Sequence, residues 1–496
     1  MNGIRLGYMQ TRKGLEPLDY KGGSHVVAIG QTGCGKFTTL ISQVLAGWST
    51  ERKSSGGMPG SLFVIDPKGQ AAAVLGPWLA ENGVEVCLFN PFNILPECFE
   101  SLQAVTYNPM SVVRESPFPA TYCDKIGDGV FPVSDHDKDP HFPESGQQLG
   151  TGLMLALACH GSAEENNLAV VRDLICGSDE VLFGFCRRCV ENTDNAFVRQ
   201  KLSSFSWDGT DEGLKQLKEN KEIRSVISSA RIQSKFIGNE VMSAALRGEG
   251  SFRFKSLREK RRAVFCILPL SVMDVCSRWF RLMFASAMAE LLDEASLGQL
   301  PVLCVLDEAA QLGRLTVLEN AIAMARGFGV QFLSLFTDIP QMERIYTGGA
   351  YRSFMANCGV QVFLAGNDPK TCSEISTMCG TTEVINYSHG VTHDRDGNLS
   401  VNNGANQMKI PLLQPHQVRE LPRDECLIWA EGTCGVIRAK RIPYYKLPEF
   451  SGFRPDPYEK GKKHGTRDQS SKPVNDNKRL DSKIERWRRS RGAYVG

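Results

Sequence analysis

An α/β architecture, built on a mainly parallel central sheet with an all-α segment inserted into it, is what this sequence predicts. Three observations carry the prediction. Short apolar runs alternate with helix-length segments across residues 25–90, and again across 263–378. Between these blocks, residues 145–250 show helical periodicity only. The first apolar run, moreover, ends in Gly30-Gln31-Thr32-Gly33-Cys34-Gly35-Lys36-Phe37, where a glycine-rich loop separates a strand from a helix.

Bulk composition narrows the classes. At 42% hydrophobic and 23% charged, the 496-residue chain is ordinary for globular protein and long enough for two or three domains. No stretch reaches the ~18 apolar residues of a membrane span, and the first twenty residues lack the apolar core of a signal peptide. The 16 cysteines therefore point to a reducing compartment, and Cys186-Arg-Arg-Cys189 reads as free thiols because no second pair or histidine partner accompanies it. Charge is uneven. In residues 451–496, thirteen Lys or Arg stand against six Asp or Glu, which leaves 44 against 49 for the rest. A basic tail thus follows a mildly acidic body.

In chain order, residues 1–23 are polar and are expected to pack loosely. Residues 25–29 form the first strand, the glycine-rich loop follows, and a helix covers 37–46. A Ser/Gly/Lys linker at 49–60 leads to a buried-type strand at 61–66, a helix at 70–82 and a strand at 84–90. Residues 91–143 are rich in Pro, Asp and Ser and are expected to be irregular, with Tyr107-Asn108-Pro109 in a turn. Helices fill 145–250. The alternation resumes with a strand at 263–268, a helix at 275–293, a strand at 301–308, a helix at 315–325 and a strand at 330–337. A strand at 360–366 precedes a helix at 369–378, opened by Asp368 as N-cap with Pro369 behind it. Residues 381–406, with Asp396-Gly397 and Asn403-Gly404 as turn signals, suggest an exposed β-ribbon. Strands at 426–430 and 436–443 close the globule. The tail from 451 is expected to be disordered up to a basic helix at 480–491, where Arg479, Lys483, Arg486, Arg488 and Arg489 flank Leu480, Ile484 and Trp487.

The loop at 30–37 fits the phosphate-binding pattern G-x-x-x-x-G-K-[ST] except at its last position. Its glycines let successive N–H groups point at phosphate oxygens, the following helix adds its positive end, and Lys36 would reach the terminal phosphates. Phe37 stands where a Mg²⁺-ligating hydroxyl is usual; Thr38 and Thr39 come one and two residues later. The second motif is Val302-Leu303-Cys304-Val305-Leu306-Asp307-Glu308, an apolar strand ending in two acids. It is expected to lie beside the phosphate-loop strand, with Asp307 holding Mg²⁺ and Glu308 polarising the attacking water.

These segments resemble the type IV coupling proteins, the TraG-like ATPases of conjugative DNA transfer. Leu62 to Gln70 (LFVIDPKGQ) is similar to that family's second-strand signature, which adds Asp66 and Lys68 to the candidate nucleotide residues. Asp139 to Ser145 resembles the entry into its inserted helical domain, and Leu306 to Gly313 its acidic motif. Met355-Ala356-Asn357-Cys358 and Gly366-Asn367-Asp368-Pro369 resemble two later segments. The resemblance covers roughly residues 23–450. It implies a RecA-like nucleotide-binding domain in two parts, 24–142 and 253–450, around an all-α domain at 143–252, with an N-terminal segment at 1–23 and the tail at 451–496. It also implies ATP and Mg²⁺ as cofactors, a homo-hexamer with ATP between neighbours, and Arg326 reaching a neighbour's nucleotide. The implied partners are a relaxase–DNA complex, single- or double-stranded DNA and the secretion channel, at the inner membrane of a bacterium.

Three departures stand out. The family usually begins with two membrane-spanning helices, and none is seen here, so this chain reads either as tethered by a partner or as a soluble, cytoplasmic variant that meets the membrane only through partners or its basic tail. Phe37 is bulkier than the family's usual residue. Thr337 replaces a glutamine that precedes Asp338 and senses the γ-phosphate. Set beside the ATP-driven motor, two further readings stay open: a nucleotide-gated docking platform with little turnover, and a DNA translocase unrelated to secretion. The tail itself reads as a solvated end or as a contact for DNA phosphates or acidic lipid.

Overall fold

The computed structural model describes residues 3–49, 59–133, 139–293, 299–393 and 399–459. The linker at 50–58, the turn signal Asp396-Gly397 and the predicted basic helix at 480–491 lie outside these residues. Residues 1–457 form one unit by their internal contacts.

The strands, in chain order, are β1 (Ile4–Thr11), β2 (Gly14–Tyr20), β3 (Val26–Gly30), β4 (Ser61–Asp66), β5 (Glu85–Phe89), β6 (Gln103–Ala104) and β7 (Arg262–Ile267). They continue with β8 (Val302–Leu306), β9 (Val330–Phe336), β10 (Val360–Ala365), β11 (Thr381–His393), β12 (Leu399–Pro411), β13 (Glu425–Ala430) and β14 (Ile437–Lys440). Twelve of them form one sheet in the order β2-β1-β14-β13-β10-β3-β9-β8-β4-β7-β5-β6, and β11 pairs only with β12. From β10 to β6 every pairing is parallel; β13, β14, β1 and β2 add antiparallel strands at one side. The mainly parallel α/β sheet is therefore as expected.

Strand order corrects one expectation. The acidic strand β8 is not beside the phosphate-loop strand β3, because β9 runs between them and bonds both. Two strand spacings of about 4.8 Å separate β3 from β8, a gap that the Lys36 and Glu308 side chains close between them, coming within 3.9 Å.

The central strands are buried on both faces, so they read as unbroken apolar runs. Val27, Ile29, Phe63, Ile65, Cys304 and Phe332 face one core; Val26, Ala28, Leu62, Val64, Leu303 and Leu333 face the other. This is the two-residue alternation of a strand. The second core is closed by the helices Ser42–Ser49 and Gln70–Glu81. The first is closed by Arg278–Leu291 and by the helical insertion, whose Leu149, Leu153, Phe183 and Val226 belong to the same core. Each such buried Leu or Phe contributes roughly 1.5–3 kcal/mol. Helix Pro119–Val130 lies against Arg278–Leu291 at Gly129, where an added Cβ would sit 2.9 Å from the Leu282 Cα. Only glycine allows that approach.

Three further corrections have local causes. Residues 4–20 do not pack loosely: β1 joins the sheet beside β14 and folds back as β2. Arg5 hides the pattern, since it is buried beneath Tyr8 and Asp19, which accept its hydrogen bonds. Besides a single helical turn at Pro96–Phe99, the described residues of 91–143 hold the helices Pro109–Glu115 and Pro119–Val130. Both begin with proline, and Asn108 is a cap rather than a turn residue, its side chain accepting from Met110 N at 2.9 Å. That contribution is typically about 1 kcal/mol. The ribbon forms as expected but runs longer, and Asn403-Gly404 is no turn: these residues pair with His389 and Ser388 inside the ladder.

Candidate nucleotide site

The glycine-rich loop leaves the C-terminal end of β3 and turns through Gly33 and Gly35 at φ +77° and +87°, a region that favours glycine. Cys34 N donates to Gln31 O at 3.2 Å, and Gln31 N donates to Ala365 O at 3.3 Å, fastening the loop to β10. Thr32 and Gly33 are exposed at its crest. The helix after Lys36 opens with a π-turn, Phe37–Ile41, an uncommon geometry often found at functional sites.

Phe37 turns away from the loop. It is 8% exposed and packs in the second core, edge-on to Tyr444 with ring centroids 6.0 Å apart. Only its backbone is left for a ligand. Thr38 Oγ1 and Thr39 Oγ1 donate back to Gly35 O at 3.2 and 2.8 Å. Behind the loop, the buried guanidinium of Arg441 donates to Cys34 O at 2.9 Å, and to Glu425 O and Arg423 O. Nothing in the sequence around Arg441 marks this brace, because its partners are backbone carbonyls far away in the chain.

Lys36 Nζ lies 3.9 Å from Glu308 Oε2. Asp307 follows β8 beside the end of β4, its N–H donating to Ile65 O at 3.4 Å. Burial, opposed by Lys36 and the exposed Lys68 and reinforced by Glu308, leaves the Asp307 carboxyl raised to about 6. Asp66 is pushed up to about 7 by burial, opposed by the Ala72 N–H and reinforced by Asp307. Its Oδ2 accepts from Ala72 N at 2.9 Å in the first turn of the helix Gln70–Glu81, while Oδ1 has no partner among the described residues. Asp66, Asp307 and Glu308, with one buried Asp66 oxygen unpaired, are a donor set that fits a divalent oxygen-seeking cation.

Across the cleft, Thr337 N donates to Gln341 Oε1 at 2.9 Å, and Gln341 Nε2 donates to Glu308 Oε1 at 3.2 Å. Gln341 sits in the first turn of the helix Ile339–Ile345, capped by Asp338, which accepts from Gln341 N at 2.8 Å. The Asp-x-x-Gln spacing of a capping box was the available signal for it.

The structure thus gathers the loop from Gly30 to Thr38 with Lys36, Asp307, Glu308 and Thr337. It does not bring Arg326 to them. Arg326 is 61% exposed at the N-terminal ends of β3, β8 and β9, beside Gly22, Gly23, Pro301 and Val330, and 4.0 Å from Glu431. Strands of five to seven residues, about 20 Å, separate it from Lys36 of its own chain. His25 lies there too, held near a pKa of about 4 by burial and by Arg326, its Nδ1 accepting from Phe332 N at 3.1 Å.

A phosphate loop and an acidic strand flanking a third strand, all opening at the same end of a parallel sheet, define a P-loop protein of RecA-like fold. Solved structures agree on that fold. The conjugative coupling protein TrwBΔN70 in its unbound monoclinic form aligns over 86% of each chain at TM-score 0.63 and 15% identity. TrwB in complex with ADP and Mg²⁺ aligns over 85% of this chain and 86% of that one, at 0.61 and 14%. The chain belongs to the Type IV secretory system Conjugative DNA transfer family, which it matches over residues 12–476. Among curated relatives, the conjugal transfer protein TraG of Rhizobium radiobacter is 23% identical over 446 residues, covering 87% of this chain and 63% of that protein. Protein VirD4 of Agrobacterium fabrum is 28% identical over 207 residues, 40% of this chain and 30% of that one. The chain spans about three-fifths of the length of the TraG proteins it matches. Among the described residues, no helix is long and apolar enough to cross a membrane.

Proposed function

We propose that this chain is an ATP-hydrolysing coupling protein, which receives a relaxase–DNA or protein substrate and delivers it to a type IV secretion channel. The observation that carries the reading is the convergence of Lys36 and Glu308, 3.9 Å apart, from two non-adjacent strands onto the mouth of one phosphate loop. In this reading the loop N–H groups and Lys36 bind the phosphates of ATP, with backbone of Gln31, Thr32, Cys34 and Phe37 lining the turn. Asp307 would hold Mg²⁺, with Thr38 and Asp66 nearby, and bound Mg²⁺ would offset charge on the phosphates. Glu308 accepts a proton from the attacking water, and Lys68 adds positive charge at the rim. Arg326, remote from its own site, serves the site of a neighbour in a hexameric ring. The helical insertion at 143–252 would move against the two parts of the nucleotide-binding domain, and the tail from 451 would contact DNA or membrane.

TraG relatives named for conjugal transfer and a VirD4 of Bartonella quintana named as a type IV secretion system-coupling protein support this reading, as does TrwB in complex with ADP and Mg²⁺. The test is ATPase activity with and without single- and double-stranded DNA. Stimulated activity abolished by both Lys36→Ala and Glu308→Gln supports it, and activity surviving both changes ends it. One observation favours a second reading, a nucleotide-gated platform: no hydroxyl stands at Phe37. Steady-state turnover well above background excludes that alternative.

A further inference from the structure

We infer that Gln341 is the residue that positions the general base Glu308. The inference rests on the hydrolytic reading above.

The amide orientation follows from its partners. Thr337 N–H can only donate, so the Gln341 oxygen must face it, at 2.9 Å. The NH₂ group is then turned to Glu308 Oε1, at 3.2 Å. A carboxylate can only accept, so both ends of the side chain are matched, and the flipped amide would oppose donor to donor and acceptor to acceptor. The backbone beneath is held as well. Asp338 caps the helix on Gln341 N at 2.8 Å, and Ile339 N donates to Thr371 Oγ1 at 3.1 Å. In an ordinary capping box the third helical residue reaches the N–H of the cap itself. Here it reaches one residue further back, to Thr337, and so spans the end of β9 toward β8.

Glu308 is consequently gripped on both oxygens, Oε2 by Lys36 at 3.9 Å and Oε1 by Gln341. Phosphate binding draws the Lys36 ammonium to the ligand. Gln341 then keeps the carboxylate in place, and Oε2 is left to accept from water. A short threonine at the end of β9 no longer implies an idle site, because the reach comes from the next turn of chain.

The experiment is steady-state ATPase kinetics of wild type, Glu308→Gln, Gln341→Ala and Gln341→Glu, with ADP affinity and melting temperature measured on each. For Gln341→Ala, kcat should fall roughly 10- to 100-fold while KM, ADP affinity and melting temperature hold. Gln341→Glu keeps the size but sets two carboxylates together. They would share one proton, and the monoprotonated pair imitates the native amide. Its kcat should therefore decline as pH rises from 6 to 8.5, where wild type does not. Wild-type kcat in Gln341→Ala, a loss that follows melting temperature or ADP affinity, or a wild-type pH profile in Gln341→Glu would each overturn the inference while leaving the ATPase reading intact. Wild type at the background rate of Glu308→Gln would remove that reading and this inference with it.

Discussion

Changing Phe37 to serine restores the usual phosphate-loop pattern, yet it should harm the protein. The ring is 8% exposed and packs against Tyr444 in the core on the far side of the loop. Removing a packed phenylalanine costs about 3–5 kcal/mol, and serine leaves its hydroxyl facing apolar neighbours. A unit of 457 residues unfolds with an entropy of about 1 kcal/mol per degree. A melting temperature lower by about 4 °C is expected for Phe37→Ser, and by only 1–2 °C for Phe37→Leu, which keeps most of the volume. Differential scanning fluorimetry reads the first quantity, and titration with a fluorescent nucleotide the second. Nucleotide affinity in Phe37→Leu should remain within about threefold of wild type, because the ring faces the core and only the backbone faces the ligand. Loss of nucleotide binding in Phe37→Leu at an unchanged melting temperature would refute this reasoning, since it would place the ring on the ligand.

Two other outcomes follow from the opposite end of the sheet. His25 is neutral when folded, with its pKa lowered to about 4, while the unfolded imidazole takes up a proton below about 6.5. Stability should therefore fall as pH drops from 6.5 toward 4, by about 2 kcal/mol between pH 7.5 and 5 from this group. Denaturant unfolding at both pH values should show that increment shrinking in His25→Gln, and equal increments in the two proteins would refute it. Arg326→Ala and Lys36→Ala should each be inactive alone yet recover activity when mixed, because about a quarter of the interfaces in a random ring pair an intact loop with an intact arginine; no recovery on mixing would place Arg326 outside the reaction.

The parts legible in the sequence were those encoded by near neighbours. The phosphate loop needs eight consecutive residues, and the acidic strand needs seven. Buried parallel strands announce themselves as apolar runs. Strand order is different, because it is set by crossovers between distant segments; hence β9 came between β3 and β8 unforeseen. Arg5 broke the apolar run of β1, since its charge is neutralised by Asp19 rather than by water. Pro109 read as part of a turn, although the first turn of a helix has no use for the N–H that proline lacks. Gln341 and Arg441 escaped for one shared reason. Their partners are backbone groups, an N–H and several carbonyls, and for Gln341 also a carboxylate from a distant strand, so no local pattern pairs either residue with what it holds.

The same kind of contact ties the site to the helical layer. Immediately after Glu308 the chain makes a tight turn, Ala309–Leu312. Arg281, on the helix Arg278–Leu291, donates through Nη1 to Leu312 O and to Arg314 O at 2.7 Å, and through Nη2 to Asp128 O at 3.4 Å on the helix Pro119–Val130. The guanidinium is buried, and desolvation lowers its pKa against the pull of Asp128. A buried cation cannot release these carbonyls without losing the hydrogen bonds that compensate its burial. The turn that carries the base and the two helices against the insertion are thus joined at one group. Arg281 is therefore a direct hydrogen-bonded link between the chain just after Glu308 and both helices, the kind of contiguous contact through which a movement of Glu308 would have to reach them.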